Sequence, residues 1–312
     1  MKHLTTISFV LLIFVARPQA VNAQESNPWI DVSPTGEYFR VSMPHQPKEE
    51  NQATTYGELK VSGKWYDSSA EGASYAVWAL VNSNYKSNRD IDEYLDACAE
   101  LIWEALLKPA RDKLPDDRRA RAAMTYIKEL PPKPLPGREY TVTIGELTGT
   151  TQFYVAEARI YILLAVNSPG GAWARQRFFE SFQPSSNLPA PRILYGDPII
   201  GPRVPADPGG KNDSENQIFS PRETSQKARI IDKPEPSYTE NARKFGVQGT
   251  VVLRAVFSKD GEVTTIRVVR KLPHGLTQQA ITAMRRIRFS PALKDGHPVS
   301  QYIEAQYNFN LY

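Results

Sequence analysis

The chain has 312 residues, 41 % of them hydrophobic and 23 % charged, with a formal charge of +4. These are globular proportions, enough for two ordinary domains plus connecting segments, and they exclude wholesale disorder. Lys2 and Arg17 are the only Lys or Arg in the first 23 residues, where no acid occurs, so the remainder carries +2, too little to imply nucleic-acid binding.

Lys2 and His3 open a short basic region, Leu4 to Ala16 is mostly apolar, and Val21-Asn22-Ala23 has the small-x-small form of a signal-peptidase site. Residues 1–23 are therefore expected to be a signal peptide; an uncleaved N-terminal anchor is the other reading. The apolar run is shorter than the roughly 18–20 residues that span a bilayer. No cysteine follows the site, which excludes lipid attachment there. The expected location is the periplasm or cell envelope, with membrane contact only if the segment is retained.

Residues 24–184 read as one α+β domain. Tyr38 to Met43 alternates as a strand and is halted by Pro44 and Pro47. Further strands are expected at Leu59 to Tyr66 and Ala73 to Val81. A helix follows from about Asp90 to Lys108, with Asn88 and Asp90 as N-caps. Its Ile91, Leu95, Cys98, Ile102, Ala105 and Leu106 recur on one helical face. Cys98 is the lone cysteine, so no disulfide forms within the chain. A buried thiol is expected, with a reactive nucleophile or an intermolecular disulfide as alternatives. Strand patterns return at Met124 to Leu130, Tyr140 to Leu147, Thr151 to Glu157 and Arg159 to Val166. Prolines at 131, 132, 134 and 136 form a stiff loop, and Leu147 to Thr150 reads as a tight reversal. Trp173 to Phe182 closes the domain as a helix. The order of elements, with Phe39, Val41, Met43, Pro44 and Phe179 to Phe182, resembles PsbP/Mog1-like domains. That resemblance implies an antiparallel sheet flanked by helices and a binding or scaffolding role.

Residues 185–228 are punctuated by Pro189, Pro191, Pro198, Pro202, Pro205 and Pro208, then Gly209-Gly210. No period of helix or strand survives, and a Pro/Gly-rich linker is expected, spanning roughly 35–40 Å as a flexible chain. Ile193 to Tyr195 and Ile199-Ile200 are apolar for a free linker, and docking of these on a domain is the alternative.

Residues 229–312 read as a compact module. A helix over about Tyr238 to Lys244 stops at Gly246. A strand from Thr250 to Ser258 places Val251, Leu253, Ala255 and Phe257 on one face. Asp260-Gly261 turns it into a return strand, Glu262 to Arg270, with Ile266 and Val268 on one face. A helix from Gly275 to Ile287 presents Leu276, Ala280, Ala283/Met284 and Ile287. Asp295-Gly296 leads into a last strand with Val299, Ile303, Ala305, Tyr307, Phe309 and Leu311 on one face. The expected fold is a three-stranded antiparallel sheet with two helices on its apolar face. The first strand lies in the middle and the last at an edge.

Pro236-Ser237-Tyr238 with Ala242, Gly246 to Val251, Asp260 to Val263, Phe289 to Ala292 and Gly296 to Val299 resemble the TonB C-terminal domain over residues 230–312. Thr239 stands where that family usually has proline, and Ile287 where it often has tryptophan. The resemblance implies a partner, an outer-membrane transporter, that adds an extended strand to the exposed edge. An edge strand offers unpaired N–H and C=O groups, which an added strand satisfies. The residues expected there are Val299, Ser300, Tyr302, Ile303, Glu304, Gln306 and Asn308. Glu304 is the only charge guarding that strand, and edges are usually blunted with lysines, prolines or bulges. Pairing with a second copy and cover by the chain's own linker remain open beside partner binding. Arg285, Arg286 and Arg288 form a basic patch, read either as a solvated helix end or as an anchor for an acidic peptide or envelope anion.

The four histidines (3, 45, 274, 297) are scattered and no His-Glu-x-x-His pair occurs. Neither a Gly-x-Ser-x-Gly elbow nor a phosphate-binding loop is present. No cofactor and no enzymatic activity is expected. The function expected is that of an exported envelope protein binding a partner by strand addition, with energy transduction if an anchor is kept. A periplasmic scaffold or assembly protein without energy coupling is the alternative.

Overall fold

The structure of the protein, a computed structural model, describes residues 29–311 except 71, 88–89, 120, 167–171, 186–198 and 201–216. It forms two compact units, Met1–Ile193 and Leu194–Tyr312. The signal segment, Asn88, Ile193 to Tyr195 and most of the proline-rich stretch lie outside the described residues.

The first unit opens with β1 (Ile30–Val32), β2 (Phe39–Met43), β3 (Lys48–Tyr56), β4 (Leu59–Ala70) and β5 (Ala73–Asn82). Helix α1 (Ile91–Ile102) begins at Asp90, whose carboxylate accepts from the N–H groups of Asp92 (2.8 Å) and Glu93 (3.2 Å). It continues through a π-helical turn (Trp103–Leu107) into α2 (Lys108–Asp112), followed by α3 (Asp116–Arg119). Then come β6 (Ala123–Leu130), β7 (Gly137–Ile144), β8 (Leu147–Ala156), β9 (Arg159–Val166), α4 (Ala172–Ser181) and β10 (Gln183–Pro184). Seven strands make one antiparallel sheet in the order β3-β4-β5-β9-β8-β7-β6. The helical crossover after β5 carries the chain to the far edge, and the meander β6 to β9 returns it to β5.

Each face of this sheet is covered. On one face Phe39, Val41, Met43, Tyr66, Tyr75, Tyr154, Tyr161, Phe178 and Phe182 pack as a buried cluster under α4 and the small sheet β1-β2-β10. On the other, Arg138 of β7 is fully buried beneath α1. Its guanidinium is bonded to Glu129 (2.7 Å) and Asp96 and lies 3.6 Å from Asp92. Cys98 is buried in α1.

The structure adds one strand and corrects one turn. Lys48–Tyr56 is a strand without any apolar alternation. It is an edge strand, exposed along most of its length, and nine residue pairs with β4 hold it. Leu147–Thr150 is the start of β8, not a reversal. The turn is one step earlier, at Gly145 with φ 63°. Gly149 is there for clearance, since a Cβ would come within 2.3 Å of the Ala165 carbonyl oxygen.

The second unit contains β11 (Ile199–Ile200), β12 (Ile218–Phe219), β13 (Arg229–Asp232), α5 (Glu240–Lys244), β14 (Gly249–Phe257), β15 (Val263–Arg270), α6 (Leu276–Met284), β16 (Arg288–Ser290), β17 (Ala292–Lys294) and β18 (His297–Phe309). β14 is central, antiparallel to both β15 and β18. Val251, Leu253, Ala255 and Phe257 are buried on the face that also buries Ala305, Tyr307 and Phe309. Leu276, Ala280, Ile281 and Met284 of α6 are buried with them, and Phe257 stacks on Phe289 at 4.0 Å.

The sheet is larger than three strands. β11 pairs with β15, β12 pairs in parallel with β18, and β17 forms a hairpin with β18. β13 and β16 make a separate pair. These pieces are two to four residues long and carry no alternation of their own, so only a partner already in place defines them. Two of them, β11 and β12, belong to the proline-rich stretch expected to lack strands.

Candidate functional site

The site is the edge of β18. The Asp295-Gly296 turn sets it up, with φ 51° and 83° at its two central residues. Positive φ at both positions is the mark of the tight hairpin turn that matches strand twist. One flank of β18 pairs with β14 from Gln301 to Phe309. β17 pairs with His297 to Val299 at the start of the strand, and on the flank away from β14, β12 covers Ser300 and Gln301. From Tyr302 to Phe309 no second strand lies alongside among the described residues.

Of the expected edge residues, Val299 and Ser300 are therefore paired within the chain. Val299 faces Ala292 and Ser300 faces Ile218. The Ser300 hydroxyl also accepts from the Lys259 N–H at 3.1 Å. Tyr302, Glu304, Gln306 and Asn308 stand on the open stretch and are exposed, Tyr302 at 44 %. Ile303 is half-buried on the core side. The Glu304 carboxylate pairs with Arg254 across the strands (3.3 Å), and Asn308 Oδ1 accepts from the Thr250 hydroxyl (2.7 Å). The Gln306 carbonyl accepts from Lys233 Nζ at 2.7 Å. That carbonyl is turned to the open side, and strand alternation turns the main-chain groups of Tyr302, Glu304 and Asn308 the same way.

Two features escaped the sequence reading. Gln301 is wholly buried on the apolar side of β18, in the place where alternation calls for a hydrophobe. Its amide accepts from the Ala228 N–H (3.0 Å) and donates to the Thr224 hydroxyl (2.9 Å). A polar residue breaking the run Val299, Ile303, Ala305, Tyr307 was the available signal. Lys233 is the second. The strand supplies no lysine guard, but a residue 73 positions upstream of Gln306 does, and the sequence gives no sign of this.

The three arginines of the expected basic patch follow one another from α6 into β16. Arg285 caps the end of α6 and Arg286 lies in the turn after it, both exposed. Arg288 is in β16 and pairs with Asp232 of β13 at 3.4 Å. Among the described residues no group of His, Cys, Asp or Glu stands ready for a metal ion, and no helix is long and apolar enough to cross a membrane.

Tyr307 sits behind the open edge, its phenol pushed up to about 12 by burial and then by the charge of Glu235. Tyr238 is raised as well, by burial. Its hydroxyl donates to the Val247 carbonyl, and its ring meets Phe309 edge-on at 5.7 Å. These rings stay neutral and fix the inner face of the strand.

Residues 234–311 match the model of a family described as Gram-negative bacterial TonB protein, C-terminal. The chain is 30 % identical over 90 residues to Protein TonB of Vibrio cholerae serotype O1 (strain ATCC 39315 / El Tor Inaba N16961), a stretch that is 26 % of this chain and 37 % of that protein. The chain thus spans little more than a third of that relative's length. Among solved structures, the solution NMR structure of Pseudomonas aeruginosa TonB CTD aligns at 22 % identity and a TM-score of 0.25, covering 31 % of this chain and 96 % of that one. The solution structure of cyanobacterial PsbP (CyanoP) from Synechocystis sp. PCC 6803 aligns at 10 % identity and a TM-score of 0.34, covering 53 % and 98 %.

Proposed function

We propose that the chain is an exported cell-envelope protein whose C-terminal module captures a partner by adding a strand to β18. The observation that carries this reading is the stretch Tyr302 to Phe309, paired on one flank only among the described residues. Main-chain groups on the other flank gain hydrogen bonds from any extended segment laid beside them. The match of residues 234–311 to the TonB C-terminal family supports an outer-membrane transporter as the partner class. No catalytic role is proposed.

Energy transduction is the finer part of the proposal. It requires residues 1–23 to stay attached as an anchor. Sequencing the N-terminus of the mature protein decides this. A mature start at Gln24 would leave a periplasmic scaffold using the same edge without energy coupling. Strand addition is tested by capture of outer-membrane proteins with the chain and with Tyr302→Pro. Proline removes one edge N–H and its ring obstructs pairing. Capture is expected to fall strongly while the thermal midpoint changes little; unchanged capture would count against strand addition.

A further inference from the structure

Residues 217–233 touch β18 at Ser300, Gln301 and Gln306, at the start of the edge that strand addition needs and again along it. Ile218 and Phe219 pair in parallel with Ser300 and Gln301, and the Phe219 ring is buried, with Lys294 Nζ 4.3 Å from its centroid. The buried Gln301 amide grips Thr224 and Ala228. Gln226 exchanges both main-chain hydrogen bonds with Leu293 (3.0 and 2.8 Å), and the Ser225 hydroxyl donates to the same carbonyl at 2.8 Å. Lys233 Nζ then takes the Gln306 carbonyl and lies 4.6 Å from the centroid of the Tyr307 ring.

These contacts have the character of an occupant. An open edge invites pairing by any extended segment, and lysines or covering loops are the usual protection. Here one segment brings both, a covering strand at the start of the edge and a lysine further along it. Its hold on β18 is nonetheless slight beside that of β14, its end, β13, being paired with β16 instead. Two residue pairs join β12 to β18, whereas nine join β14 to β18. A segment held by few, largely exposed hydrogen bonds opens locally without unfolding the sheet beneath it.

We infer that residues 217–233 are a built-in strap over the edge of β18, and that a strand longer than the open stretch adds only after displacing it. The purpose of the strap rests on the strand-addition reading, but its existence is testable without any partner. The probe is a labelled synthetic peptide copying Gln217 to Lys233, added to the full chain. The native chain has this site filled by its own strap and is expected to bind the peptide poorly. A chain carrying Phe219→Ala and Thr224→Ala, which loosen the strap and leave the sheet strands intact, frees the site more often. A tenfold rise in the open fraction lowers the apparent Kd about tenfold, read by fluorescence anisotropy. Lys233→Ala, a milder variant, is expected to fall between the two. Equal binding to native and loosened chains, or binding to neither, overturns the strap. Capture of outer-membrane proteins by the same variants separates the two ideas. If the peptide binds as expected and no chain captures a partner, the strap stands and strand addition fails.

Discussion

Thr239 replaces the proline usual in the resembling family, and its hydroxyl does two things a proline cannot. It accepts from the Ala242 N–H (3.1 Å), capping α5, and donates to the His274 carbonyl (2.6 Å). Thr239→Ala should therefore cost about 1–2 kcal/mol in urea denaturation of the second unit. Ile287, where tryptophan is frequent, is simply buried, and the smaller side chain fits the same apolar face. At Gln301, replacement by leucine keeps the volume but leaves the Ala228 N–H without its acceptor. Hydrogen exchange at Ala228 should speed up, with a loss of about 1–3 kcal/mol. Arg138 offers the sharpest test in the first unit. Its removal leaves Glu129, Asp96 and Asp92 gathered around a vacated buried charge. Arg138→Ala is expected to destabilise by about 3–5 kcal/mol in denaturant melts, and Arg138→Lys should recover little because one ammonium cannot replace the planar fork.

Periodicity made some elements readable and left others silent. β14 was readable because Val251, Leu253, Ala255 and Phe257 alternate onto the helix-covered face, although Val252 and Val256 on the opposite face are buried as well and Arg254 alone is exposed. Phe257, buried against Phe289, ends that alternation; Phe257→Ala should cost about 3–5 kcal/mol, measured by thermal or urea melts. β18 was legible for the same reason, and its place at the edge followed from the Asp-Gly turns and the short connections. β3 was silent because an edge strand exposed along most of its length needs no apolar side chains. β12 was silent because two residues cannot show a period. Consequently nothing local marks Val299 and Ser300, two of the expected edge residues, as paired with β17 and β12.

The two units differ in how high pH should affect them. Burial pushes Tyr154 and Tyr161 up to about 12, and Tyr56, half-buried and bonded to Glu100, to the same level. Burial raises Tyr126 and Tyr140 still further. A phenol whose folded pKa is raised contributes stability that is intact below about pH 10 and is lost as pH climbs through the folded value. Among the described residues of the second unit, only Tyr307, at about 12, and Tyr238 show such shifts. The first unit is therefore expected to unfold first on alkaline titration. Far-UV circular dichroism followed beside phenolate absorbance should show ionisation arriving in a cooperative step above about pH 10, not as a smooth titration.

By itself the sequence determined what local pattern can encode. The mixed α+β character, the α1 helix with its Asp90 cap, the order of strands in the C-terminal module and the Asp-Gly turns all rest on neighbours a few residues apart. Only the tertiary structure decided what depends on partners far along the chain. Arg138 found its carboxylates on two other elements, β6 and α1, Gln301 found Thr224 and Ala228, and Lys233 found the carbonyl of Gln306. Hydrogen bonds and charges of this kind leave no period in the sequence, because their geometry exists only once the sheet is built. The pairing of Ser300 and Gln301 with β12 belongs to that level too.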